Sequence, residues 1–275
     1  MHVSRGRRGF TAVEAVIAIV LFGLVAETLL GLLTASQRLF RSQAERAALQ
    51  STVRAGAQLL PAELRGLSGS DLVAIAPDQL TYRATRLTAV ACRVTPASVT
   101  LRLRLMYAYR SVTPGRDSLL LFVEGNVSRS DDDRWQAVPV TGVPAGAACP
   151  DGAAAPAVPA VVPPAAISAS PAVPVRGFEV VQLRLYQSGG QYWLGSQSIS
   201  GGEAQIQPAL GPLAADGVRL AYARADGSST ANPADVAFVR LTLRGLTDGA
   251  VRAVGGALAV AADSATTSVT LRNAE

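Results

Sequence analysis

A stretch made mainly of Ala, Val, Ile, Leu and Phe occupies residues 10–35, behind nine residues, Met1-His2-Val3-Ser4-Arg5-Gly6-Arg7-Arg8-Gly9, that are basic and free of acids. At ~1.5 Å per helical residue the stretch reaches about 39 Å, enough to cross a hydrocarbon core of about 30 Å. Arg5, Arg7 and Arg8 precede it and no arginine follows until Arg38, which predicts the leader in the cytoplasm and the bulk of the chain outside. An ordinary secretory signal carries its cleavage site after the apolar run, marked by small residues. Here a carboxylate, Glu14, stands near the start of the run, directly after a Gly-Phe step. That placement does not fit an ordinary signal.

The string Arg8-Gly9-Phe10-Thr11-Ala12-Val13-Glu14, followed by about twenty mainly apolar residues, resembles the cleavage and methylation motif of type IV prepilins. The resemblance implies that a prepilin peptidase, an inner-membrane aspartyl enzyme, cuts between Gly9 and Phe10 and methylates the new N-terminal Phe10. It implies that helix 10–35 is then retained as membrane anchor and later as filament core. Glu14 becomes the fifth residue of the mature chain, and its expected partner is the N-terminal amine of Phe10 on a neighbouring subunit. A carboxylate within an apolar helix is costly unless paired, which gives that partnership a physical reason. Its alternative is that Glu14 snorkels to the headgroups. Glu27 departs from the plain pattern. It lies about 220° around the helix from Glu14, so the two acids do not share a face. An outer-interface position is preferred for it over pairing with an arginine of another subunit.

Loss of the leader bears on chemistry. The sequence has no Lys, and its one His is His2. A mature chain without either excludes a His general base, a Ser-His-Asp triad, His metal ligands, a Schiff-base Lys and a P-loop Lys. From residue 10 onward 22 Arg oppose 20 Asp and Glu, so the mature net charge is +2 and carries no nucleic-acid footprint. No catalytic role and no cofactor is expected.

The fold class expected is α+β, a long N-terminal helix packed on a mainly antiparallel, β-rich pilin-type head. Residues 36–67 continue the helix, with Leu49, Val53, Ala57, Leu60 and Leu64 as an apolar stripe, and with a kink or a fresh start at Pro61. A first β-rich part covers 68–142, with strands over 79–84, 87–94, 98–110 and 117–124. In the third, Val99, Leu101, Leu103, Leu105, Tyr107 and Tyr109 alternate with mostly polar residues, a period of 2 that turns one face to the core. Eight prolines make 143–175 an extended, mobile loop or linker, preferably a loop within one head. A second β-rich part covers 176–275, with strands over 179–187, 191–198, 217–225, 234–245 and 266–272. Residues 212–222, Asp226-Gly227, 236–243 and 268–273 are similar in pattern to the late region of J-type pseudopilins of type II secretion. That similarity favours a large minor component over a major pilin.

Together the resemblances imply a structural subunit of a tip or initiation complex in a type IV pilus or type II secretion (protein transport) filament. The partners implied are other minor and major pilins or pseudopilins, the prepilin peptidase, an inner-membrane assembly platform and membrane lipid. The chain would be single-pass in the inner membrane, its head in the periplasm or outside the cell. A tip-located or membrane-anchored binding module, an adhesin or DNA-uptake receptor, is the alternative. Cys92 and Cys149, outside the membrane, are expected to form a disulfide, the alternative being two free thiols. Asp131-Asp132-Asp133 matches no calcium-loop spacing and is read as a solvated turn, with no metal site. Arg102, Arg104, Arg184, Arg219, Arg240 and Arg244 could line a cationic face of the kind that meets nucleic acid. The ordinary polar face of an antiparallel sheet is the preferred reading.

Overall fold

The structure, a computed structural model, describes residues 11–126, 128–129, 131–168, 170–252 and 256–272. The processing residues Gly9 and Phe10 therefore lie outside the described residues. One helix, α1 (Ala12–Leu64), dominates the N-terminal part. At ~1.5 Å per residue its 53 residues span about 80 Å. It runs through Pro61 with no fresh start there and ends one turn later, where Arg65 N–H still bonds Pro61 O at 3.0 Å. The strands that follow are β1 (Leu72–Ala76), β2 (Gln79–Thr95), β3 (Ser98–Leu101), β4 (Tyr107–Ala108), β5 (Asp117–Val123), β6 (Arg134–Pro139), β7 (Ala145–Ala148) and β8 (Ala154–Pro159). The later ones are β9 (Val173–Ser188), β10 (Gln191–Ser198), β11 (Gln207–Ala223), β12 (Phe238–Leu246), β13 (Val251–Arg252), β14 (Leu258–Ala259) and β15 (Ala262–Thr270).

The chain divides into two compact units. The first joins the helix up to Leu49 with residues 247–261, where β13 and β14 pair as a small hairpin. Within it Glu45 accepts from the backbone N–H of Asp248 at 3.1 Å, and Arg46 donates to the carbonyl of Arg252 at 2.6 Å. The second unit, from residue 50 to 246 with 262–272, is the β head, and the last four turns of α1 belong to it. Its principal sheet runs in the order β15-β12-β11-β10-β9-β2-β3-β8-β7, and every strand pair among the described residues is antiparallel. The fold is the expected α+β arrangement.

Two apolar clusters line the inner face of this sheet. The first gathers Leu64, Leu67, Leu80, Tyr82, Val181, Leu194, Leu241 and Leu243, with Leu60 of the helix packed against it. The second gathers Leu87, Ala89, Val99, Leu101, Leu119, Leu121, Val158 and Val175. β2 runs through both by means of a bulge. Thr85 pairs with Phe178 and Leu87 with Gly177, so Arg86 has no partner across the ladder. One extra residue restores the alternation, so that Leu80, Tyr82 and Ala84 before it and Leu87, Ala89 and Ala91 after it all turn inward. A Cβ on Gly177 would lie 2.7 Å from Leu87 Cβ, so glycine is required opposite the bulge.

Two expectations need correction. Residues 98–110 do not form one strand. β3 ends at Leu101, opposite Ala91, and β4 resumes at Tyr107, opposite Thr88, so five residues (102–106) face two, Ala89 and Val90. The three surplus residues form a 3-10 turn over Leu103–Leu105. An odd slip inverts a period-2 pattern. Val99 and Leu101 are accordingly buried, while Tyr107 and Tyr109 are 75% and 86% exposed. Nor is 143–175 an irregular loop, for it contains β7, β8 and the start of β9. Its prolines sit where a ladder neighbour is missing: Pro156 lies beyond the last β3 pair and Pro159 beyond the last β7 pair.

Candidate functional site

From Thr11 to Ala48 every residue of the first unit is exposed except half-buried Ala26, Ser42 and Glu45. Val13, Phe22 and Phe40 are 68%, 74% and 72% exposed, so the apolar surface continues around the helix instead of forming a stripe. A helix apolar on all sides has no place at a water boundary. This one is long and apolar enough to cross a membrane. Glu14 stands at its beginning. Thr11 caps the helix: its Oγ accepts from Glu14 N–H at 3.2 Å, and the Glu14 carboxylate accepts in return from Thr11 N–H at 3.0 Å and Thr11 Oγ at 3.1 Å. This reciprocal box is what Thr-x-x-Glu produces at a helix start. Glu14 is thus held against the first turn, with room for a further donor. Glu27 lies on the same exposed helix.

Cys92 and Cys149 form a disulfide, their Cα atoms 5.6 Å apart across a sequence separation of 57. Both are buried, in a small cluster with Ala155. The bridge ties the β7–β8 hairpin, at one edge of the sheet, back to β2.

Glu179 was not foreseen as a special residue. It is 1% exposed, on the inner face of β9 between the two apolar clusters. Arg116 donates to its Oε1 at 2.7 Å, while Arg86 and Arg110 donate to its Oε2, each at 3.0 Å. Arg86 is the bulged residue of β2, re-aimed at this carboxylate. Across the ladder Glu179 faces Asp117 of β5. Two acids directly opposite would repel. Arg110 lies between them and binds Asp117 through both terminal nitrogens, at 2.7 and 2.6 Å. Burial by itself would raise the Glu179 pKa, but hydrogen bonds from Ser198, Arg116, Arg86 and Arg110 outweigh it and bring the value down to about 2. A signal for this cluster exists in the sequence: from 79 to 116 there are seven Arg and no acid, and Glu179 is the one acid in the next long strand. Both oxygens of Glu179 and both of Asp117 are bound by these arginines, so the cluster ties the sheet's two halves together.

The six strand arginines do not form one face. Arg102 lies past the end of β3 and pairs with Asp151 at 2.7 Å, while Arg104 lies in the 3-10 turn. Arg184 is on β9, three strands from β12, with its Nε buried and without a hydrogen-bond partner. Arg219, Arg240 and Arg244 do share the outer face of β11 and β12. The Asp131–Asp133 run shapes the β5–β6 turn: Asp132 and Asp133 accept from Asn126 and Gly125 N–H at 2.8 and 3.1 Å, and Asp131 pairs with Arg129. Among the described residues no group of three or more His, Cys, Asp or Glu is placed to hold a metal ion.

Comparison with protein-family models, with curated proteins and with solved structures gives no match. The features that bear on function are the exposed helix surface around Glu14 and the disulfide-bonded β head.

Proposed function

We propose that the chain is a minor pilin or pseudopilin, a structural subunit of the tip or initiation complex of a type IV pilus or type II secretion filament. The observation that carries this reading is the exposed, all-round apolar start of α1 with Glu14 as its one acid in the first four turns. It joins the prepilin-like string at residues 8–14. In this reading the leader is removed after Gly9, Phe10 becomes the methylated N-terminus, and the helix anchors the head outside the inner membrane until an assembly platform extracts it. Thr11 holds the Glu14 carboxylate at the helix start, where the Phe10 amine of an adjacent pilin or pseudopilin can reach it. A charge without an ionic partner costs about 2.5–3.5 kcal/mol at the centre of a membrane helix on insertion scales, and Glu14, nearer the helix start, carries part of that cost. Relief comes only when subunits meet in register, so the charge favours assembly and contributes little to folding of the head. With neither Lys nor a retained His, the role is structural and not enzymatic.

The experiment is Glu14→Val, expressed at wild-type level. Export, cleavage at Gly9 by mass spectrometry and the folded head are expected to be unchanged, whereas co-purification of the neighbouring pilin-like subunits falls at least tenfold. Undiminished co-purification would overturn the assembly role of Glu14.

One observation favours a second reading, a tip-located binding module. Leu103, Leu105, Tyr107 and Tyr109 are all at least half exposed on one short strap of the head. Tyr and Arg are enriched at binding hot spots, and Arg104 lies within the strap. A Tyr107→Ser, Tyr109→Ser variant that assembles normally but fails in host-surface or DNA attachment would favour this second reading.

A further inference from the structure

The two ends of the principal sheet are finished differently. At one end β7 has four residues, Ala-Gly-Ala-Ala, and is fastened through Cys149. At the other, β15 has nine residues and pairs with β12 without a register shift from Phe238↔Thr270 to Leu246↔Ala262. Among the described residues no strand lies on its far side. Natural sheets guard such edges with Lys, Pro, bulges, short strands or a covering loop. β15, Ala-Asp-Ser-Ala-Thr-Thr-Ser-Val-Thr, has none of the sequence guards, its one charge being Asp263 near the start. Its alternate N–H and C=O groups face outward in a straight row of small side chains.

The face beside this edge is cationic. Arg240 and Arg244 of β12 lie opposite Ser268 and Ser264 of β15, and Arg219 of β11 lies opposite Thr242. Asp216 is the one acid paired with this group, at 3.2 Å from Arg244 and 3.6 Å from Arg219. Arg240 has no ion-pair partner among the described residues. A strand added beyond β15 would lie two strand spacings, about 10 Å, from β12. An extended arginine and a Glu side chain together cover that distance.

We propose that β15 accepts an extended, acidic segment of a partner protein as an additional antiparallel strand. Main-chain hydrogen bonds supply the affinity, and carboxylates on alternate residues meet Arg240 and Arg244 across Ser268 and Ser264. The inference rests on the head alone and goes beyond the filament reading.

The test uses the full chain in phosphatidylcholine nanodiscs and two labelled peptides matched to the nine residues of β15. One alternates Glu with Thr and Val, the other Lys with Thr and Val. Fluorescence anisotropy is expected to show saturable binding of the Glu peptide and at least tenfold weaker binding of the Lys peptide. Arg240→Glu, on an exposed position, should cut or reverse that preference without altering thermal melting. Of the neighbours Thr266 and Thr267, one points its N–H at β12 and the other outward. Proline at the outward position should keep the melt and abolish peptide binding. Absence of saturable binding by the wild-type chain, equal affinity for the two peptides, or unaltered binding by both proline variants would overturn the proposal. So would a concentration-dependent dimer abolished by the same proline, which would give the edge to a second copy instead.

Discussion

Beneath the end of α1 the inner face of the sheet is closed by long side chains, Leu64, Leu67, Tyr82, Leu213, Leu241 and Leu243, from the helix end and the turn after it and from strands of nine to seventeen residues. Beyond Glu179 the same face is closed mainly by Ala and Val, among them Ala89, Ala91, Val99, Val138, Val158 and Ala160, with fewer long side chains, Leu87, Leu101, Leu119 and Leu121. Small side chains bury less area per residue and so contribute less, at ~25 cal/mol per Å² of apolar surface. The second region makes up the difference covalently and electrostatically, with a disulfide at its far side and a belt of ion pairs at its border. One region is held by packing and the other by ties, and each tie offers a way to separate the two.

The largest effect is expected at Glu179. Removing one partner from a buried ion pair leaves the others uncompensated and typically costs about 3–5 kcal/mol. Glu179→Ala leaves Arg86, Arg110 and Arg116 converging on a void, and should destabilise the head by that order in denaturant melts. A conservative control comes from pH. The folded-state pKa of Glu179 lies below its ordinary value of 4.5, at about 2. Its contribution is therefore complete above pH 4.5 and disappears as pH falls from 4.5 toward 2, by about 3 kcal/mol. Glu179→Gln should flatten the stability profile in that window relative to wild type. An unchanged acid limb would show that the belt does not link the two regions.

Next is the disulfide. For a sequence separation of 57 the chain-entropy model gives about 4 kcal/mol as an upper value. Cys92→Ser with Cys149→Ser should lower stability by up to that amount, and unevenly. Amide exchange should accelerate first in β7, β8 and β3, while β11 and β12 keep their protection. Uniform acceleration over the sheet would mean that the two regions unfold as one.

The same contrast explains what could be read from the sequence. α1, β5, β10 and the cores of β9, β11 and β12 follow from apolar periodicity, because long side chains at fixed spacing leave a pattern. β2 appears in the sequence as two strands, 79–84 and 87–94, because the Arg86 bulge breaks the alternation; the break was visible and its meaning was not. β7 and β8 left no pattern, since Ala, Gly and Pro carry no period and proline is tolerated there only for want of a ladder neighbour. The disulfide followed from compartment and cysteine count. The Glu179 belt was missed because its members lie 63 to 93 residues apart and meet only through sheet order. Of the helix-surface residues, Glu14 was legible as the acid of the prepilin-like string at residues 8–14. Its capping by Thr11 is the local detail that the geometry adds.

The smallest expected effect lies in the packed region and asks whether anything but packing holds it. Tyr222 of β11 is 8% exposed and belongs to the helix-side cluster. Its hydroxyl donates to the carbonyl of Ala76 or of Gln79, each 3.1 Å away, at the two ends of the β1–β2 turn. Burial raises its pKa, so the hydroxyl stays protonated and remains a donor throughout the range in which the head is folded. Phe fills nearly the same volume without the hydroxyl, so Tyr222→Phe isolates the hydrogen bond from the packing. Both carbonyls lie in a turn that water can reach from its outer side, and a typical net hydrogen bond contributes about 1 kcal/mol. The expected loss is therefore about 1 kcal/mol, with amide exchange faster at the β1–β2 turn and unchanged in β3 and β8. A loss of 3 kcal/mol or more, or any effect in β8, would show that the packed region also depends on a polar tie, and the distinction between the two halves of the sheet would fail.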